Sequence, residues 1–300
     1  MLNARKTASL RAMPRSRLVW ALAMALTLTG AGPVYADAPG TDAASLRDKY
    51  GALRERLDHN QYQAELYLNS QESPDRLEGD LYGVIDHPFA VVRASLTGAS
   101  QWCDVLMLHL NVKGCRASAG GAQSSLAVYV GGKHGHSTDL ATQVDYAYRV
   151  AGETADYVQI LLRADSGPFG TRNSRILLEA VPLDPTRTFV HLTYSYGYGL
   201  MARVAIETYL DTVGRGKVGF TSVGRQPDGR PIYVGGVRGV IERNAMRYYL
   251  AVVAYLDALS SPPKQQLESR LEEWFTLTER HPVQLHEIGR TEYLSMKRDE

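Results

Sequence analysis

Two cysteines, Cys103 and Cys115, stand twelve residues apart. In an oxidising compartment such an even pair reads as a disulfide, worth about 3 kcal/mol in the chain-entropy model. The other reading is two separately buried thiols, because free Cys often serves as a small core residue. No His stands in an obvious motif partnering either one, so thiol catalysis is not expected. Gly197-Tyr198-Gly199-Leu200-Met201-Ala202 matches G-x-G-x-x-A, a dinucleotide fingerprint when it opens a βαβ unit. Here it closes a run of alternating strands, and the glycines serve a tight strand-to-helix turn instead. His134 and His136 lie in a Gly-rich turn, yet a metal needs a third or fourth ligand. Nothing in the spacing recruits His109, His191 or Asp139. There is no G-x-S-x-G nucleophile elbow, and Asp145, Asp156, Asp165 and Glu179 scatter over strand positions that alternate toward solvent. No catalytic residue, metal or cofactor is expected. Arg163 and His191 occupy the same alternate positions; facing a cavity, either one anchors an acidic headgroup.

The residues with most to offer are tyrosines: Tyr146, Tyr148, Tyr194, Tyr196, Tyr198, Tyr248 and Tyr249. A Tyr presents an apolar body with a polar tip, which suits a pocket wall for an amphipathic ligand. It also suits a plain packed core, and both readings stay open. The ligand-contacting set is taken as Tyr146, Tyr148, Tyr194, Tyr196 and Tyr249, with Val253 and Leu256.

These residues need a sheet and a helix to position them. Leu46, Tyr50, Leu53 and Leu57 form one helical stripe over 41–59. Alternating runs follow at 62–69 and 77–85, with Ser73-Pro74-Asp75 as the turn between them. Asp86 caps a helix with Pro88 in its first turn, and Phe89, Val92 and Leu96 continue its stripe. From there the period is two: 144–150, 158–162, 176–180 and 190–196, with shorter strands near 108–113, 126–131 and 217–223. This predicts an antiparallel meander, one face buried and one wet. Met201–Thr212 reads as an inserted amphipathic helix. Asn244–Leu259 is apolar enough to require the sheet's buried face. A last helix runs to about Arg280 with Leu267, Leu271, Trp274 and Phe275 inward, and a polar tail follows Pro282.

The N-terminus carries Arg5, Lys6, Arg11, Arg15 and Arg17 and no acidic residue before Asp37. The weakly polar run Leu18–Gly30 follows, then Val34-Tyr35-Ala36, the layout of a cleavable secretory signal; Met13 is an alternative start. A run of about 13 residues is short for a bilayer span, which takes roughly 20. Retention as an anchor is the other reading. Removing those five cations from 33 leaves 28 against 32 acidic residues, a net of −4. That gives no electrostatic case for nucleic acid. No later stretch is apolar enough to span a membrane.

The segment Val84-Ile85-Asp86-His87-Pro88-Phe89-Ala90-Val91-Val92, with Leu96-Thr97 and Trp102, resembles the opening of the START-like (SRPBCC, helix-grip) superfamily. The resemblance covers about residues 77–260. It implies an α+β fold in which a curved antiparallel sheet grips a long C-terminal helix over a cavity for a lipid, sterol or other apolar molecule. It transfers no catalytic residue. The chain departs from the family in its export signal, its N-terminal helix and strand, the helix near 201–212 and its C-terminal extension. The expected organisation is a signal at 1–36, an extension at 37–76, a START-like domain at 77–260 and a helical extension at 261–300. The expected function is a periplasmic or secreted, non-catalytic binder of a hydrophobic small molecule. The alternative is an envelope structural or interaction protein with a filled core, meeting a protein partner around Trp274 and Phe275.

Overall fold

The structure, a computed structural model, describes residues 42–120, 123–132, 141–212 and 214–300. The expected signal segment and the positions of His134, His136 and Asp139 lie outside them. The described residues form one compact unit.

Helix α1 (Ala43–Asp58) opens it, capped where the Asp42 carboxylate accepts from the Ser45 amide at 2.8 Å. The strands β1 (Leu66–Glu72) and β2 (Arg76–Ile85) form a hairpin. Two short helices follow, α2 (Phe89–Leu96) and α3 (Ala99–Leu106). Asp86 is not the cap expected of it: α2 starts at Phe89, with Pro88 in the capping position. The meander comprises β3 (Val112–Gly120), β4 (Gln123–Val130), β5 (Thr142–Glu153), β6 (Val158–Ser166), β7 (Arg172–Pro182) and β8 (Thr188–Gly197). All eight strands make one antiparallel sheet in the order β1-β2-β8-β7-β6-β5-β4-β3. Helix α4 (Leu200–Asp211) and the small hairpin β9 (Ser222–Arg225) and β10 (Pro231–Tyr233) are inserted before the long helix α5 (Gly236–Asp257). The strand expected at 217–223 is only this short separate ribbon.

Strand β2, the two small helices, the meander returning beside β2 and the long helix afterwards give the START-like arrangement. Strand β1 is an addition at the sheet edge. Val144, Tyr146 and Tyr148 of β5 are buried while their neighbours are exposed, because successive side chains face opposite sides of a strand. Cys103 of α3 and Cys115 of β3 are disulfide-bonded, with Cα atoms 5.3 Å apart, so the helix is tied to the edge of the sheet.

The outer face of the sheet departs from the expected wet surface. Leu46, Leu53 and Leu57 of α1 cover Tyr157, Val181 and Phe189. Strands β6 to β8 are therefore buried on both faces along much of their length.

The C-terminal segment is not a polar tail either. Helices α6 (Gln266–Glu279), α7 (Pro282–Leu285) and α8 (Arg290–Asp299) pack back onto the body. Tyr293 is fully buried and donates to the Leu108 carbonyl at 2.9 Å. The buried Glu300 carboxylate lies 3.0 Å from Lys113 Nζ and 2.6 Å from Lys297 Nζ. Burial pushes Lys297 down to about 8, against the pull of Glu300. A charged pattern that reads as solvated in sequence is here a desolvated ion cluster. Leu267, read as inward, is exposed.

Candidate ligand site

Helix α5 crosses the sheet at its β1, β2 and β8 side and carries α6 on its other flank. Its residues Met246, Tyr249, Leu250 and Val253 recur at helical spacing along one stripe, with Asp257 one turn on. Facing them are Tyr62, Ala64 and Leu66 leading into β1, Val84 and Ile85 of β2, and Leu277 of α6. Together they bound a cleft of about 210 Å³. Its floor is apolar, whereas Asp86, Asp257, Glu273, Arg280 and His281 supply ionisable groups. Asp257 is held 2.7 Å from His87 Nε2. Burial, helped by the Arg280 charge, depresses His281, which favours its neutral form.

Tyr249 reaches this cleft because β2 carries Gly83. A Cβ there would lie 2.4 Å from the Tyr249 hydroxyl, so only glycine lets the phenol lie flat against the strand. That hydroxyl approaches the Val84 carbonyl at 3.5 Å.

The other expected ligand contacts lie elsewhere. Tyr146, Tyr148, Tyr194 and Tyr196 line the concave face of the sheet, and Leu256 is fully buried. Tyr148 donates to the Leu96 carbonyl at 3.2 Å. Burial pushes Tyr146 up to about 12, opposed by its hydrogen bond with Ser174. Tyr194 packs edge-on against Tyr248 at 5.0 Å, and Tyr248 stacks on His109 at 4.9 Å. Of the four sheet tyrosines, Tyr194 alone keeps a partly accessible side chain. His109 Nδ1 accepts from the Asn111 amide at 3.2 Å, while its buried Nε2 has no hydrogen-bond partner. Burial, then the charges of Arg247 and Lys297, hold His109 well below its ordinary value, so it is neutral. The structure thus brings Tyr249 and Val253 together at the cleft and leaves the sheet tyrosines in the packed interior.

Arg163 and His191 face the outer side, so neither anchors an acidic group in the grip. Glu179, read as solvated, is buried there beside His191. The imidazole bridges Glu179 through Nδ1 at 2.9 Å and Asp80 through Nε2 at 3.0 Å, and stacks on Tyr82 at 4.2 Å. Both nitrogens are thereby occupied. Among the described residues, no group of three or more His, Cys, Asp or Glu is placed to hold a metal. Burial opposes a charge on His191, but the bonds to Asp80 and Glu179 outweigh it and raise its pKa. Burial likewise opposes charge on both carboxylates, yet the His191 contacts hold them below their ordinary values.

Stability from the raised histidine is complete below its unfolded value, about 6.5, and is lost as pH rises through the folded value. Stability from the two lowered carboxylates is lost as pH falls below about 4. The gap in urea-unfolding free energy between wild type and His191→Gln is therefore expected to be widest between those limits and to narrow toward pH 9. A pH-independent gap would contradict the charged-histidine assignment.

Trp274 and Phe275 are not a partner surface. Both are buried, the indole stacked on Tyr293 at 4.9 Å and donating to the Arg247 carbonyl at 3.2 Å. Gly197 ends β8 and α4 begins at Leu200, so the glycine motif serves a strand-to-helix turn.

No family model matches the chain, and no curated relative matches it by sequence. Solved structures do. Human STARD10 is similar over 82% of this chain and 91% of its own, with a TM-score of 0.37 and 11% identity. Human StAR-related lipid transfer protein 5 is similar over 56% and 89%, with a TM-score of 0.30 and 9% identity. A START superfamily protein from Mycobacterium smegmatis covers 47% and 92%, at 0.29 and 14%. The fold is START-like. That reading rests on the strand order and helix placement described above.

Proposed function

We propose that the chain is an exported, non-catalytic binding protein for a small amphipathic molecule, seated in the cleft at Tyr249 and Val253. The observation that carries this reading is the cleft itself, an apolar floor below an ionisable rim. Binding sites are commonly concave and mostly apolar, with a few convergent polar groups. A dry apolar cavity of about 150 Å³ holds benzene, so about 210 Å³ suits a small ring or a short chain. The rim sets three carboxylates against one guanidinium, which favours an amine or hydroxyl head over an acid. We assign ligand contact to Tyr249 and Val253, and treat Tyr146, Tyr148, Tyr194, Tyr196 and Leu256 as packing residues of the interior. The N-terminal signal pattern and the Cys103–Cys115 bridge support a periplasmic or secreted location, where disulfides persist.

Val253→Trp fills the cleft from a partly exposed position. It is expected to weaken binding of the fluorophore aminoanthracene at least about tenfold, the loss of about 1.4 kcal/mol of apolar contact, while leaving the melting temperature nearly unchanged. Hexylamine is expected to displace the probe better than hexanoic acid. Equal affinity in wild type and variant would overturn the site assignment.

A further inference from the structure

We propose that the cleft takes an elongated zwitterion, with its ammonium at the Asp86 and Asp257 end and its carboxylate at the Arg280 end. This deepens the binding reading above and rests on it. Asp257 closes helix α5 and lies 2.7 Å from His87 Nε2, and Asp86 precedes that histidine in the chain. Both carboxylates therefore border the same end of the cleft. Helix α6 runs back along α5: Arg270 stacks on Tyr255 at 4.4 Å, and the Trp274 indole reaches the Arg247 carbonyl at 3.2 Å. Arg280 and His281, at the C-terminus of α6, consequently lie toward Met246. His281 meets the ring of Phe220 at 5.4 Å, and the Phe220 amide donates to Glu242 in the first half of α5.

The two ends differ in charge. Two carboxylates stand beside one imidazole at the first, and Glu273 of α6 adds a third carboxylate between the ends. At the second, Arg280 supplies a full positive charge and pairs with no carboxylate among the described residues. Burial, then the charge of Arg280, keeps His281 neutral. The neighbouring Glu279 is taken up by His286 at 2.9 Å. Glu242, near this end, is fully buried with its oxygens occupied by amides and hydroxyls. From Met246 to Asp257 the helix rises about 16 Å. A volume of about 210 Å³ spread over that length is a channel one chain wide, and Tyr249, Leu250, Val253 and Leu277 line its middle. Such a shape suits a methylene chain with a charge at each end. A carboxylate against a guanidinium is among the stronger hydrogen-bonded pairs.

The test is displacement of aminoanthracene from the purified protein by octylamine, octanoic acid and 8-aminooctanoic acid. In wild type the amino acid is expected to act at a concentration about threefold lower than octylamine, within the range for a partly exposed ion pair. Octanoic acid is expected to be the weakest of the three. Arg280→Gln is expected to erase the advantage of the amino acid and to leave octylamine unchanged. Asp86→Asn and Asp257→Asn are each expected to weaken both amines alike, because the ammonium is common to them. Added salt is expected to narrow the advantage. Failure of octylamine itself to displace the fluorophore would sink the cleft reading and this one with it. Displacement by octylamine, with 8-aminooctanoic acid no better or with its advantage intact in Arg280→Gln, would overturn the zwitterion assignment alone.

Discussion

Glu242→Ala is expected to lower the unfolding free energy by about 3–5 kcal/mol, the range for removing one partner from a buried ionic network. The Glu242 carboxylate is fully buried on α5 and joins three segments of chain. Its Oε2 accepts from the Phe220 amide at 2.6 Å and the Thr221 amide at 2.9 Å. Its Oε1 accepts from the Ser70 hydroxyl at 2.6 Å and the Thr221 hydroxyl at 2.7 Å. The crossing is tight: a Cβ on Gly219 would lie 2.5 Å from Oε2 and 3.0 Å from Gly239 Cα. Alanine leaves those donors without an acceptor, and each buried unpaired group costs roughly 1–3 kcal/mol. Glutamine keeps one oxygen and is expected to cost about half as much. Urea unfolding gives the magnitude, and hydrogen exchange gives the place, since the Phe220 and Thr221 amides are expected to lose protection first. A loss below about 1 kcal/mol, the net worth of a single ordinary hydrogen bond, would contradict this role.

Trp274→Ala is the second large effect. The indole is 2% exposed, and its removal opens a cavity between α5, α6 and α8. Trp-to-Ala truncation in a core costs about 3–5 kcal/mol, and the lost stack on Tyr293 frees α8 as well. Limited proteolysis is expected to cut the variant after Lys297, which is buried in the wild type. Were Trp274 a docking residue, the variant would keep its melting temperature and its protease resistance.

Much of this architecture was legible in the sequence. Alternation at 144–150, 158–162, 176–180 and 190–196 located four strands, because one sheet face is apolar throughout. The Leu46–Leu57 stripe located α1, and the cysteine spacing located the disulfide. The errors share a cause: burial depends on what lies opposite, which local periodicity does not report. Glu179 and His191 alternate like solvated residues, yet Glu179 is buried and His191 half-buried beside it on the α1-covered face. The last residues look polar because Lys297 and Glu300 are charged, but together with Lys113 of β3 they compensate one another away from water. The start of α5 went unread since Gly235, Gly236 and Gly239 look like a turn. Two of the residues that bound the cleft, Tyr249 and Val253, were among those the sequence singled out. Others, such as Leu66, Leu277 and His281, lie far apart in the chain and are brought together only by packing.

The most direct test of the binding assignment is native mass spectrometry of the protein purified gently from the cells that make it. Organic extraction of the same sample identifies what is released. The account predicts a stoichiometric small amphiphile bearing an amine or hydroxyl head, lost on denaturation and absent from Val253→Trp. A clean unliganded mass, with no uptake from a mixture of such amphiphiles, would contradict it.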